Sequence, residues 1–342
     1  MGVQLGDIVR QEIIDFDFLK GRAVAVDAFN TLYQFLSIIR QSTGEPLRDS
    51  EGRVTSHLSG LLYRNVNLIE MGIKPAYVFD GRPPKLKFHT VEERNKKREE
   101  ARKKWHEALR EEKIEEAKSY AIQSTKISHD VIEESKKLLD FLGIPVVQAP
   151  SEGEAQAAYM VKCGDVFSAA SQDYDALLFG STRLVRNLTI TGKRKLPRKR
   201  IYVTVKPEIL YIDKILKRLE ITLEQLIDIG ILIGTDYNPG GVEGIGPKKA
   251  LKLIKKYGSV EKVVEKEGLS LNFQVEPIRK IFLSIEVTHD YSLEWKAPEK
   301  EAVMDFLCYH RDFSSERVEK ALEKLEDAYS KMKRQSVLDT WF

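Results

Sequence analysis

The feature that most constrains the fold is a repeated pattern in which a strand-length apolar run ends in an acidic residue. The run AVAVD ends at Asp27, and the run AYVFD ends at Asp80. The acids that fall near predicted chain reversals are Asp27, Asp80, Glu152, Glu154, Asp173, Asp175 and Asp236. Two carboxylates about 4 Å apart repel by roughly 4 kcal/mol near a protein surface. A fold that gathers these acids must therefore also supply positive charge.

Strand-like and helix-like segments alternate along the chain. Residues 22–27 and 75–80 have the composition of short buried strands, and residues 30–40 and 55–72 have helical periodicity. The next predicted elements are a helix at 129–142, the strand IPVVQA, a helix at 152–163 and a strand at 166–170. This alternation predicts an α/β fold with a largely parallel sheet. Ligand sites in such sheets lie outside the carboxyl ends of the strands, where the acids fall.

Two segments interrupt this alternation. Residues 85–122 are almost wholly charged, with Trp105, Leu109 and Ile114 as sparse apolar positions. This pattern allows either a mobile cover over the acidic site or a disordered insertion. Residues 183–205 are predicted to form two antiparallel strands joined by a basic turn.

The composition is that of a globular, charge-rich chain, with 42% hydrophobic and 31% charged residues among 342. No apolar stretch is long enough to cross a bilayer, and the start lacks a signal-peptide pattern, so we expect an intracellular protein. Two cysteines, Cys163 and Cys308, are too few for a disulfide framework or a structural zinc site. We expect both to be buried thiols.

Positive charge is concentrated in three segments, although the net charge is only +3. Residues 85–104 hold nine Lys or Arg, residues 193–200 hold six, and residues 244–256 hold five. Any one such patch can be an ordinary solvated surface. Three of them beside an acidic cluster favour a polyanionic partner.

The chemistry of the acids points to hard cations. Carboxylate oxygens favour Mg²⁺ or Mn²⁺ and argue against zinc. Seven carboxylates exceed the needs of one Mg²⁺, which predicts two ions about 4 Å apart, as in sites that cleave phosphodiesters. A lone acid after a strand can instead cap a helix or pair with a base. That alternative is weaker for the closely spaced pairs Glu152/Glu154 and Asp173/Asp175.

Phosphodiester cleavage also needs positive charge where negative charge develops. Lys87 and Arg94, at the start of the charged insertion, are the nearest candidates, with ordinary surface solvation as the alternative. Tyr33 lies six residues beyond Asp27, close enough to stack on a nucleobase at the site. A core position on a helix face is the competing interpretation for Tyr33.

The segment GVEGIGPKK is a second motif. Gly244 and Gly246 permit a tight turn, Pro247 suits the first helical position, and Lys248 and Lys249 follow. A helix N-terminus of this kind can hold a phosphate, so duplex binding here would be directed at the backbone and sensitive to salt. An ordinary helix start is the alternative.

The tail QSVLDTWF ends in two large aromatic residues. Its candidate binding residues are Gln335, Leu338, Trp341 and Phe342. Aromatic side chains at a terminus favour insertion into a partner's pocket. Docking back onto the body of the protein is the alternative.

With these motifs the chain resembles the flap endonucleases, structure-specific 5′ nucleases of the XPG type. The segments that carry the resemblance are MGVQLGDIV, VAVDAFNTLYQFL, KPAYVFDGRPPKLK, APSEGEAQAAYM, SQDYDALLFG, GTDYNPGGVEGIGPKKA and QSVLDTWF. They are spread over essentially the full length. Because the chain stops at the tail motif, we expect an archaeal source.

The resemblance implies a mixed, largely parallel sheet between helical bundles, the 5′-nuclease or PIN-like fold, with a helical arch and a helix-two-turn-helix element. The implied regions are nuclease segments at 1–100 and 123–260, an arch at 101–122 in an insertion starting near 85, the helix-two-turn-helix at about 236–260, a helical region at 261–325 and a tail at 326–342.

The resemblance also implies roles for single residues. The seven acids would bind two Mg²⁺ ions, with Asp175 catalytic, and Lys87 and Arg94 would contact the scissile phosphate. Tyr33 would stack on the 5′ nucleotide, and the glycine turn with its lysines would anchor duplex DNA and hold a K⁺ ion. Further DNA-contact positions are Arg40, Arg64, Gly234 and, lining a pocket for a one-nucleotide 3′ flap, Phe313. The tail resembles the peptide that binds the sliding clamp, PCNA.

The implied function is a structure-specific 5′ flap endonuclease with 5′–3′ exonuclease activity, acting by two-metal hydrolysis in Okazaki fragment maturation and repair. We expect a monomer in the cytoplasm or nucleoid, with branched DNA and the clamp as partners and no membrane partner. One alternative is a clamp-recruited junction-binding protein whose acids hold metal for structure only. Another is a related nuclease that prefers gaps or bubbles.

Overall fold

The computed structural model describes residues 2–189, 192–195 and 202–339. The strands are β1 (Glu12–Ile13), β2 (Ala23–Asp27), β3 (Lys74–Phe79), β4 (Val146–Gln148), β5 (Ser168–Ala170), β6 (Arg183–Arg186), β7 (Gly192–Lys195), β8 (Tyr202–Val205) and β9 (Glu208–Tyr211). The helices of the first half are α1 (Ala28–Ile38), α2 (Ser56–Glu70), α3 (Phe88–Arg110), α4 (Ile114–Gln123), α5 (His129–Phe141), α6 (Gly153–Cys163) and α7 (Asp175–Leu178). Those of the second half are α8 (Ile212–Leu219), α9 (Leu223–Ile233), α10 (Pro247–Tyr257), α11 (Val260–Glu267), α12 (Val275–Ser284), α13 (Lys300–Met304) and α14 (Ser315–Asp339). Short 3₁₀ turns lie at Phe16–Leu19 and Lys85–Lys87, and a π-helical turn lies at Asp305–Tyr309.

The described strands form one seven-stranded sheet in the order β1-β9-β6-β5-β2-β3-β4 and a separate pair, β7 with β8. Strands β4, β3, β2, β5 and β6 run parallel, whereas β9 is antiparallel to β6 and β1 to β9. The carboxyl ends of the five parallel strands therefore meet at one edge. The predicted α/β fold with a mixed, largely parallel sheet is confirmed.

The central strands are covered on both faces because alternate residues of a strand point to opposite sides. In β2, Ala25 belongs to one apolar core together with residues of α6, α9 and α10. Its neighbours Val24 and Val26 belong to a second core built with α1, α2, α5 and α14. The sheet thus lies between two groups of helices, as the resemblance implies.

The charged insertion is helical in the structure. Helices α3 and α4 pack against each other as a hairpin, so the disordered alternative is wrong for this segment. The side chains buried in these two helices are those of Thr90, Ala101, Ala108, Ala117 and Ala121. Trp105 and Leu109 are only half-buried, and Ile114 is exposed. Small side chains let two helices approach closely, and four of the five buried side chains of this hairpin are alanines.

Four of the expected region boundaries fall inside helices. Those that follow residues 100, 122, 260 and 325 lie within α3, α4, α11 and α14. A continuous hydrogen-bonded helix marks no break in the chain at such a boundary, and the division into regions stays a prediction. The arch begins at Phe88, and the last helix continues into the expected tail as far as Asp339.

The segment 183–205 also differs from expectation. Strand β6 joins the main sheet between β5 and β9, and the antiparallel pair is β7 with β8. Residues 193–195 of the basic stretch lie in β7, and residues 196–200 lie outside the described part. Cys163 is exposed at the end of α6 and Cys308 is half-buried, so the expectation of two buried thiols is wrong. Among the described helices, none combines the length and apolarity that a membrane crossing requires.

Candidate active site

The predicted acids lie around the carboxyl edge of the parallel sheet. Asp27 is the last residue of β2, and Asp80 directly follows β3. Because β2 pairs with both β3 and β5 in parallel, the residues that follow these strands are brought side by side. The other acids reach the same edge from flanking helices: Glu152 and Glu154 at the start of α6, Asp173 and Asp175 at the start of α7, and Asp236 just beyond α9.

The protonation behaviour of the acids shows that they share one site. Burial raises the pKa of Asp27 to about 8, with repulsion from Asp80 and Asp173 adding to the effect. Burial also raises the pKa of Asp175 to about 7, again with repulsion from Asp173. The pKa of Glu154 lies well above its ordinary value because the side chain is buried beside Asp175 and Asp27. Negative charge is thus crowded into a poorly solvated place.

Backbone and side-chain donors that sequence reasoning missed hold two of these acids. The backbone N–H of Asn30 donates to Asp27 Oδ1 at 2.9 Å, and its side-chain Nδ2 lies 3.4 Å from Asp173 Oδ2. Ser171 Oγ donates to Asp27 Oδ2 at 3.3 Å and accepts from the N–H of Asp173 at 3.2 Å. The signal for Asn30 was available, since an aspartate that ends a strand before a helix commonly caps it.

Two further acids, Asp80 and Asp175, accept from backbone N–H groups that they can reach only because glycines lie beside them. The N–H of Gly153 donates to Asp80 Oδ1 at 2.7 Å, and a Cβ on Gly153 would lie 2.6 Å from the same oxygen. The N–H of Val3 donates to Asp175 Oδ1 at 2.7 Å. A Cβ on Gly2 would lie 2.8 Å from that oxygen. Side chains at these positions would displace the carboxylates, so glycine is required by close approach.

Positive charge comes from the base of α3, as predicted. Lys87 Nζ lies 2.6 Å from Glu152 Oε2 and 3.5 Å from Asp236 Oδ2, and Arg94 forms an ion pair with Asp236. Burial opposes ionisation of Lys87, but Glu152 and Asp236 outweigh it and raise the pKa of the ammonium. Burial likewise opposes ionisation of Asp236, yet Lys87 and Arg94 hold the pKa of this carboxyl below its ordinary value.

The residues present fit a hard metal ion. The donors are carboxylate oxygens, and two of them, Glu152 Oε1 and Glu154 Oε1, are buried without a hydrogen-bond partner. As the side chains are placed, no three His, Cys, Asp or Glu among residues 2–189, 192–195 and 202–339 are arranged to hold one ion. Most of these acids accept from protein donors in this arrangement. The seven acids therefore share one site but do not form the ready metal cage that we expected.

Comparisons with known proteins agree with this geometry. Residues 1–101 match the XPG N-terminal domain, and residues 143–236 match the XPG I-region. Flap endonuclease 1 of Pyrococcus horikoshii is 54% identical over 342 residues, which cover 100% of this chain and 98% of that protein. The chain belongs to the flap endonuclease 1 family. This family of structure-specific nucleases is metal-dependent.

Other members and neighbours are consistent with this assignment. Flap endonuclease 1 of Archaeoglobus fulgidus is 53% identical over 343 residues, covering 100% of both chains. The solved flap endonuclease-1 of Methanococcus jannaschii has a TM-score of 0.77 at 44% identity, covering 96% of this chain and 99% of that one. The catalytic core of Rad2, solved with a DNA substrate, has a TM-score of 0.68 at 24% identity over 92% of this chain and 96% of that one, which shows the fold alone.

Three predicted DNA-contact residues of this flap endonuclease occupy different environments. Tyr33 is 37% exposed on α1, so it is not a core residue. Arg40 is half-buried and donates to Leu36 O at 2.7 Å, and to Thr125 Oγ1 at 2.6 Å just beyond α4. In this arrangement Arg40 connects α1 to the end of the arch. Arg64 is half-buried on α2, and the DNA-binding roles of all three remain predictions.

Gly234 and Gly244 take backbone conformations that favour glycine, with φ of 109° and 73°. A Cβ on Gly234 would also lie 2.6 Å from the backbone nitrogen of Gly241, so the chain packs against itself there.

The helix that follows the glycine turn begins as predicted. Gly246 is the N-cap of α10, Pro247 takes its first position, and Lys248 and Lys249 are exposed in its first turn. No atom lies within 4 Å of where a Cβ on Gly246 would be, although its φ of −91° suits any residue. The fold itself therefore does not require glycine at Gly246, and the open space leaves room for an external backbone.

The remaining predicted residues lie near the end of the chain. Phe313 is half-buried against the helical core, and its N–H donates to Leu307 O at 3.0 Å. The backbone of Gln335 and Leu338 lies in the last turns of α14. Their side chains, together with Trp341 and Phe342, lie outside the described part of the chain.

Proposed function

We propose that this flap endonuclease hydrolyses a phosphodiester of branched DNA near the foot of a 5′ flap, and that it also removes nucleotides as a 5′–3′ exonuclease. The observation that carries the proposal is the buried acidic group at the carboxyl edge of the sheet, with Lys87 and Arg94 placed against it by α3. Such a site combines metal ligands with the positive charge that a phosphate transition state needs.

The seven acids would hold the metal, and we propose two Mg²⁺ ions, for which Mn²⁺ can substitute. When bound, such ions activate water and stabilise charge on the leaving oxygen. The orphaned oxygens of Glu152 and Glu154 support this assignment, because buried carboxylate oxygens without partners are costly unless a cation meets them.

Lys87 and Arg94 have a second task once DNA is bound. Each now bonds to a carboxylate of the site, Lys87 to Glu152 and Arg94 to Asp236. A DNA phosphate that enters the site competes with these carboxylates as an anion. Lys87 and Arg94 can then donate hydrogen bonds to the phosphate oxygens instead of to Glu152 and Asp236, which leaves the two carboxylates available to a metal. Tyr33, more than one-third exposed on α1, is available to stack on the 5′ nucleotide and orient it.

The decisive assay uses a labelled double-flap DNA, cut by the full chain in Mg²⁺ and again after addition of EDTA. We expect cleavage near the flap junction in Mg²⁺, loss of cleavage in EDTA and recovery when Mg²⁺ is restored in excess. Flap binding, measured by fluorescence anisotropy, should persist in EDTA. Cleavage that survives chelation would contradict the metal assignment, and faster cutting of bubbles than of flaps would contradict the substrate assignment.

The turn from Gly244 to Lys249 is proposed as the duplex anchor, with a K⁺ ion held at the same turn. Replacing both Lys248 and Lys249 with alanine should weaken flap binding. It should also make the plot of log affinity against log salt concentration less steep, by about 0.9 for each DNA phosphate that the variant no longer neutralises. The measurement is the dissociation constant over a salt series. A matched control replaces two exposed lysines of α14, Lys320 and Lys324, and should leave the slope unchanged. An equal effect of both double variants would contradict a specific anchor.

The tail is proposed to bind the sliding clamp, which its sequence QSVLDTWF supports. Removing residues 335–342 should abolish stimulation of cleavage by the clamp and leave clamp-independent cleavage intact. Steady-state cleavage with and without clamp measures both. Loss of clamp-independent cleavage would instead show that the tail supports the fold. We further propose that the enzyme acts as a monomer inside the cell, in the cytoplasm or nucleoid, in DNA replication and repair.

A further inference from the structure

The base of the arch touches Asp236 at three points. Lys87, Thr90 and Arg94 are three and four residues apart, a spacing that places them on one side of the start of α3. Lys87 and Arg94 meet the two carboxylate oxygens of Asp236. Thr90 meets the backbone of the same residue, because its Oγ1 donates to Asp236 O at 2.7 Å.

Thr90 is buried in α3 together with Ala101 and Ala108, and of these three it is the polar one. It is only 5% exposed, whereas the side chain of the neighbouring His89 is 77% exposed. A threonine hydroxyl in a helix commonly bonds to a carbonyl of its own preceding turn. The hydroxyl of Thr90 instead crosses to a carbonyl 146 positions away in sequence.

We propose that Thr90 is a positioning residue for cleavage, one that fixes the backbone of Asp236 against the base of α3. With the carbonyl held, the carboxylate of Asp236 and the cations of Lys87 and Arg94 keep their positions relative to the other acids of the site. Without the hydroxyl, the first turns of α3 can separate from Asp236, and both cations move with them. This inference rests on the proposed nuclease function for its kinetic consequence, but not for its structural one.

The test compares Thr90→Val, which keeps the side-chain shape and removes the donor, with Thr90→Ser, which keeps the donor. Under single-turnover conditions with saturating enzyme and Mg²⁺, we expect Thr90→Val to cut a double-flap DNA roughly threefold to tenfold more slowly, the range for removal of one buried hydrogen bond. Its dissociation constant for the flap should be unchanged. Thr90→Ser should recover the wild-type rate, and His89→Ala should show no loss.

A second readout does not depend on cleavage. Hydrogen–deuterium exchange of the free protein in EDTA should be faster in residues 88–97 for Thr90→Val and unchanged elsewhere, with Thr90→Ser again restoring protection. The inference is overturned if Thr90→Val exchanges and cuts like the wild type, or if Thr90→Ser is as defective as Thr90→Val. Faster exchange over the whole chain would also overturn it, because that shows general destabilisation. If Thr90→Val shows the expected local exchange but the wild-type protein cuts no DNA, the contact between Thr90 and Asp236 is supported and the proposed nuclease function is contradicted.

Discussion

Replacing Asp175 with asparagine is expected to reduce flap cleavage by about 100-fold to 1,000-fold, the range for losing one preorganised electrostatic group at a reaction centre. Asparagine has nearly the same shape and keeps an oxygen for the N–H of Val3, which donates to Asp175 Oδ1 at 2.7 Å. What it removes is the negative charge, which weakens the hold on a hard cation. The chemistry should therefore fail while the local packing remains.

The measurement for Asp175→Asn is the single-turnover rate on a double-flap DNA, together with the dissociation constant for the same DNA. Binding should stay near the wild-type value, because the proposed duplex anchor lies elsewhere, at the turn from Gly244 to Lys249. Asp213→Asn, at an exposed acid in the first turn of α8, is the matched control and should cut normally. If Asp175→Asn cut nearly as fast as the wild type, the acids would not be catalytic, and the junction-binding alternative would regain support.

Replacing Lys87 with methionine should lower the cleavage rate by about 100-fold, because methionine keeps much of the apolar stem and removes the charge that we propose to face the scissile phosphate. Lys87 also neutralises Glu152 at 2.6 Å and Asp236 at 3.5 Å. Its loss therefore leaves a buried acid, Glu152, and a part-buried one, Asp236, with less compensation. We expect a measurable decrease in thermal stability in EDTA, and Mg²⁺ should recover part of it by replacing the missing positive charge.

Lys85→Met is the control for Lys87→Met, since Lys85 lies two residues away, carries the same charge and is exposed. It should retain both the cleavage rate and the melting temperature of the wild type. Single-turnover kinetics and thermal melts with and without Mg²⁺ provide the measurements. Equal losses for both substitutions would indicate a general effect of basic charge near the arch rather than a specific role of Lys87.

The positions of the acids could be predicted because the pattern behind them is local. A strand of alternating or continuous apolar residues is recognisable over five or six positions, and the residue that follows it must emerge at an edge of the sheet. This pattern predicts the positions of Asp27 and Asp80: β2 ends at Asp27 as expected, and β3 ends one residue before Asp80. Lys87 and Arg94 followed from their proximity in sequence to Asp80 and from the need for positive charge.

The partners of these acids could not be predicted in the same way. Gly153 and Val3 contribute backbone N–H groups, which carry no sequence signature of their own. Thr90 meets a carbonyl 146 residues away, and Arg40 donates to Leu36 O, Gly44 O and Thr125 Oγ1. Such contacts depend on how helices pack, and packing is set by many distant residues at once.

The sequence by itself determined the alternation of strands and helices, the acidic edge and membership of the flap endonuclease family, because periodicity and motif spacing are properties of short stretches. Only the tertiary structure decided that the charged insertion is a helical hairpin, and that most of the acids accept from protein donors rather than stand as an open cage. The physical reason is the same in both cases. A polar helix and a buried carboxylate are each stable only through contacts with other parts of the fold, and those contacts are not a property of one short stretch.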